Sequence, residues 1–128
     1  MFKKLGLAIY LSLLAMNIAT ADTALSKVEN LGSMQSLEVP EIKVKTKSGL
    51  MLIQADFLNT SIYNLDVYYR FKWMDGDGFQ VGDDEPWKLI TLIGKQKSAI
   101  KSTSPTPLAK DFKIEIQSPR NKSIINPF

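Results

Sequence analysis

The chain has 128 residues, 45% of them hydrophobic and 23% charged, the proportions of one globular domain. It contains no cysteine and no histidine, which excludes disulfides, thiolate or imidazole catalysis and the usual zinc ligand sets. The formal charge of +3 includes Lys3 and Lys4 of an expected leader. The other 14 basic and 13 acidic residues leave +1, too weak a field for a dedicated nucleic-acid binder, and no nucleic-acid partner is expected.

Residues 1–21, MFKKLGLAIYLSLLAMNIATA, have the layout of a signal peptide. Lys3 and Lys4 supply the positive start, Leu5 to Met16 the apolar stretch, and Ala19-Thr20-Ala21 the small-residue cleavage site. The apolar stretch is shorter than the ~20 residues that span a bilayer. Export, cleavage after Ala21 and a periplasmic product without an integral membrane span are therefore expected, with retention as an anchor as the alternative. Without cysteine there is no lipobox. Residues 22–36 are polar with no sustained period and are expected to form a flexible leader.

Residues 37–117 read as strands and turns. Ile42-Lys43-Val44-Lys45-Thr46-Lys47 alternates β-branched residues with lysines, as the solvated face of an edge strand does. Ser48-Gly49 turns the chain into Leu50 to Phe57, a more apolar and central strand. That strand closes at Asn59-Thr60-Ser61, where the glycosylation-like N-x-S pattern reads as turn chemistry. In Leu65 to Met74 the apolar series Leu65, Val67, Tyr69, Phe71 and Trp73 alternates with mostly polar residues, so one face is expected to be buried. Phe71 and Trp73 are expected to be core rather than ligand-stacking aromatics.

Asp75-Gly76-Asp77-Gly78 makes a turn toward Phe79-Gln80-Val81. Asp75, Asp77, Asp83, Asp84 and Glu85 crowd one loop, but their spacing does not match a D-x-D-x-D-G calcium loop, so no cofactor or metal is expected. Pro86 precedes the strand Trp87 to Leu92, Ile93-Gly94-Lys95 turns the chain, and Ser98 to Thr103 follows. Ser104-Pro105-Thr106-Pro107 cannot lie within a central strand. Phe112 to Gln117 is the last strand, and residues 118–128 are expected to be a flexible tail. About seven antiparallel strands without a helix of length predict an all-β, immunoglobulin-like sandwich.

The run Val67-Tyr68-Tyr69-Arg70-Phe71-Lys72-Trp73-Met74-Asp75, followed by Gly78, resembles a segment of the YcfL-like family of small Gram-negative envelope proteins. The resemblance extends through Trp87, the apolar stretch 89–93 with Gly94, the segment 104–107 and the strand at 112–116, about half the chain. It implies an immunoglobulin-like fold and an envelope location, and no biochemical activity.

A non-enzymatic binding or scaffolding module acting on another envelope protein is the expected function, since sandwiches recognise partners through end loops and strand edges. The candidate partner surface is the 75–87 loop with Asp75, Asp77, Phe79, Asp83, Asp84 and Trp87, joined by Tyr68 and Arg70 on the polar face of the best strand. For Trp87 and Arg70 the simpler expectation is a core position and a carboxylate pair. The alternatives are a structural subunit of a larger envelope assembly, for secretion or motility, and a carboxylate-based hydrolase. The hydrolase needs two acids facing each other across ~5–9.5 Å, and no catalytic residue is assigned.

Overall fold

The computed structural model describes residues 17–19, 26–31 and 34–119. Residues 1–16 of the expected signal peptide and 120–128 of the expected tail lie outside the described residues. The strands are β1 (Asn17–Ala19), β2 (Val28–Asn30), β3 (Leu37–Glu38), β4 (Ile42–Lys47), β5 (Leu50–Asn59), β6 (Leu65–Met74), β7 (Lys88–Leu92), β8 (Lys97–Thr103) and β9 (Asp111–Gln117).

They form two sheets. In the first, β5 lies between β8 on one side and β3 and β4 on the other, with β1 outside β4. The second has the order β2-β9-β6-β7. Successive strands β4 and β5 share a sheet, β6 and β7 cross to the other, β8 returns and β9 crosses again, the sheet switching of an immunoglobulin-like sandwich. Two details differ from seven antiparallel strands. There are nine strand segments among the described residues, and β2, inside the expected leader, runs parallel to β9 with Val28 opposite Ile114.

Alternation decides which residues meet between the sheets. Ile53, Ala55 and Phe57 of β5 face Val67, Phe71 and Trp73 of β6 and Phe112, Ile114 and Ile116 of β9, all buried. Phe71 stacks on Trp73 at 5.6 Å, and Phe112, opposite Trp73 in register, closes the cluster at 6.3 Å. Trp73 is 2% exposed and is a core residue, as its place in the alternation predicts.

Turns and breaks follow local chemistry. Ser48 and Gly49 join β4 to β5 with φ of 53° and 82°, the two positive values a type I′ hairpin requires. Between Glu38↔Leu58 and Ile42↔Ala55 the register slips by one residue. The extra residue is a bulge around Pro40, which has no N–H to give to a ladder. At the far end Asn59 ties two turns together: its Nδ2 donates to the carbonyls of Tyr63 (2.7 Å) and Leu92 (3.0 Å), and its Oδ1 accepts from the Ser61 N–H (2.9 Å). Gly94 completes this end, because a Cβ there would run into the Ile62 carbonyl.

Candidate functional site

The 75–87 loop is built onto a gap in β6. On one side β6 pairs with β9 from Tyr68 to Met74, and on the other it pairs with β7 only as far as Tyr69 opposite Lys88. Beyond Tyr69 the second edge has no strand partner, and a buried N–H there would be orphaned. Glu85 fills the place of a strand. One carboxylate oxygen accepts from the Phe71 backbone N–H at 3.1 Å, the other from Trp73 Nε1 at 3.0 Å. Farther along, the Val81 N–H donates to the Trp73 carbonyl at 2.9 Å, and Met74 and Gln80 form a single bridge. The loop is therefore laced to the core aromatics of its own strand.

Its tip is ordered by Asp75. The Asp75 carboxylate accepts from the N–H groups of Asp77 (2.9 Å) and Phe79 (3.0 Å), while the Asp75 N–H donates to the Phe79 carbonyl (2.8 Å). Gly78 supplies the positive φ of 88° that this turn uses. Phe79 is held outward and is 72% exposed. Asp77, Asp83 and Asp84 are exposed, with Asp84 accepting from Gln80 Nε2 at 2.7 Å.

Arg70 and Tyr68 lie on the outer face of the second sheet. Arg70 Nε donates to Glu115 at 2.7 Å across a register pair, and its guanidinium lies 4.3 Å from the centroid of the Trp87 ring. Arg70 thus has the carboxylate partner of the simpler expectation. Trp87 is half-buried beneath the guanidinium rather than between the sheets. Tyr68, opposite Gln117, is half-buried on the same face. Tyr69 points inward against Phe57; burial, then the nearby charge of Glu85, raises its phenol above the ordinary tyrosine range, so the hydroxyl stays protonated.

The structure brings Arg70 to Trp87 and Asp75 to Phe79, and leaves Asp77, Asp83 and Asp84 as separate surface charges. Among the described residues no group of three or more acids is arranged to hold a metal ion. Glu85, which organises the loop, is one of the five acids the sequence crowds there but is not among the candidate surface residues. Nothing in Asp83-Asp84-Glu85 marks which carboxylate turns inward; the signal, a β7 too short to cover β6, exists only in the pairing. What the arrangement offers is a rigid, acidic loop end with one projecting aromatic.

A family described as "Protein of unknown function (DUF1425)" matches residues 23–118. The chain is similar in fold to Campylobacter jejuni cj0090, with 24% identity, a TM-score of 0.60 and coverage of 72% of this chain and 97% of that one. It is also similar to a DUF1425 family member from a Shewanella species, with 23% identity, a TM-score of 0.59 and coverage of 78% and 94%. No curated protein matches the chain.

Proposed function

Since the chain belongs to the DUF1425 family, whose description carries no activity, we propose from the geometry that it is a non-enzymatic binding or scaffolding module of the periplasm. It recognises another envelope protein through the 75–87 loop. The observation that carries this reading is Phe79, an aromatic that remains 72% exposed on a loop fixed at both ends by Asp75 and Glu85. A projecting aromatic on a rigid support loses little entropy when it fills a partner's pocket. The exposed Asp77, Asp83 and Asp84 around it favour a partner with a basic rim. The finer likeness to YcfL-like proteins, carried by Tyr69-Arg70-Phe71-Lys72-Trp73, belongs to this proposal, as does export with cleavage after Ala21.

A hydrolase is disfavoured by where the acids go. Asp75 is engaged by N–H groups of the loop, and Glu85 by Phe71 and Trp73 of β6. A groove of about 520 Å³ beside Tyr63 and Leu65 has Asp66 as its single carboxylate among the described residues, and Asp66 accepts a hydrogen bond from Thr91. A structural subunit is the second reading. It draws on Ile62, Tyr63 and Ile93, all more than 60% exposed at the opposite end from the loop, on the two turns that Asn59 ties together.

The test is a crosslinking pull-down of the tagged protein from envelope extracts. One reproducible envelope partner is expected, lost on Phe79→Ala while the thermal midpoint stays unchanged. Recovery that is indifferent to Phe79→Ala but abolished by Ile62→Asp would transfer the interaction to the other end.

A further inference from the structure

The outer face of the first sheet has a pattern that a merely solvated face does not need. Because Ile53, Ala55 and Phe57 point into the core, the alternate residues Leu50, Leu52, Gln54 and Asp56 point outward. Register places Lys43 and Lys101 on either side of Gln54, and Lys45 and Thr103 on either side of Leu52. These two rungs line a groove of about 400 Å³. Two strand spacings put the backbones of Lys43 and Lys101 about 10 Å apart, so both ammonium groups can close on one anion above Gln54. Lys47, opposite Leu50, extends the basic rim by one more rung.

We propose that this face docks on an anionic lipid surface, with Lys43, Lys45 and Lys101 holding phosphate head groups and the half-exposed Leu52 resting against the acyl boundary. Charge complementarity selects this occupant. The remainder after the leader carries a net charge near +1, yet four lysines gather here while the acids of the 75–87 loop lie elsewhere. The acids nearby are Glu41, 3.8 Å from Lys43, and Asp56, one rung beyond Gln54. Lysines on an outer strand also deter edge pairing, but that purpose does not call for leucines on the solvent side of the strand between them. Leucine flanked by lysines is the composition of interfacial lipid-binding faces, where the stems lie on apolar surface and the charges reach phosphate. The proposal does not depend on the loop surface, and the pull-down above can fail while it stands.

The experiment is co-sedimentation of the full chain with vesicles of phosphatidylcholine alone or with 30% phosphatidylglycerol. Binding is expected to be at least tenfold tighter to the anionic vesicles, and to weaken as salt is raised. Lys43→Gln/Lys101→Gln is expected to lower anionic-vesicle binding about thirtyfold. The control pair Lys88→Gln/Lys110→Gln, with the same loss of charge elsewhere, should change it little. Leu52→Asn should weaken binding with both lysines present, and unchanged thermal midpoints establish that the variants are folded. Equal binding to the two vesicle types, or equal losses in the two lysine pairs, would overturn the proposal. Competition of the anionic vesicles by millimolar inorganic phosphate would also overturn it, by making the site one for a free anion.

Discussion

Asn59 is a small polar side chain doing the work of a short strand. It is fully buried, yet it answers three carbonyls, those of Tyr63, Leu92 and Ile93, and takes two donors from Ser61. Replacing it by alanine takes the amide donor from the Leu92 carbonyl, a buried contact, while the Tyr63 carbonyl keeps the Ser61 hydroxyl and the Ile93 carbonyl keeps the Gln96 N–H; a buried carbonyl left without a partner costs about 1–3 kcal/mol. Asn59→Ala is expected to destabilise the fold by about 2 kcal/mol in urea unfolding, with the slope unchanged. A loss below about 1 kcal/mol would mean that water substitutes for the amide. The sequence identifies Asn59-Thr60-Ser61 as a turn, and the Ser61 N–H on the Asn59 carboxamide is that turn. The reach of the same side chain to Leu92, 33 positions away, has no local signature. Glu85 is the parallel case: its neighbours in sequence say loop, and its neighbours in space make it the cap of β6.

Among the elements, β6 and β9 are the most legible, because apolar residues alternate with mostly polar ones and write a period of two into each, although in β9 the polar Glu115 and Gln117 are themselves buried. Arg70↔Glu115 shows the outer face and Phe71↔Ile114 the inner face of the same pairing. β2 is the opposite: three residues carry no period, and the partner strand lies 86 positions on. Its attachment depends partly on Lys27, whose ammonium meets the Asp111 carboxylate at 2.6 Å. Burial alone raises the Asp111 carboxyl, but the hydrogen bonds from Lys27 and from the Phe112 N–H, with the charges of Lys27 and Lys113, outweigh it and hold the group below its ordinary value. A lowered folded value gives stability that is complete above the unfolded carboxylate range and disappears as pH falls through the folded one. The gap in stability between the wild type and Asp111→Asn is therefore expected to stay constant from pH 7 to about 4 and to close below that. Both side chains are substantially exposed, so the gap should be only a few tenths of a kcal/mol. A gap that widens in acid would assign β2 to other contacts.

At the scale of the molecule, charge is sorted rather than mixed: acids at the end loop after β6, lysines over the groove on the first sheet. The residues are plain in the sequence, as alternation in β4 and as a cluster at 75–85. That Lys101 joins Lys43 and Lys45 is not, since it requires the register of three strands, one of them arriving after a crossing to the other sheet. β1 has a further effect on that sheet. Its three residues pair along β4, and they belong to the segment whose removal is expected after Ala21. Cleavage would act as the lifting of a temporary seal, turning β4 from an inside strand into a bare ladder guarded by its lysines. The amides of β4 that face β1 should then exchange with solvent faster in the chain beginning at Asp22 than in the unprocessed chain, while those facing β5 stay protected. A processed protein would thus reach its destination with one hydrogen-bonding edge newly open, and equal exchange in both forms would show that the leader never closed it.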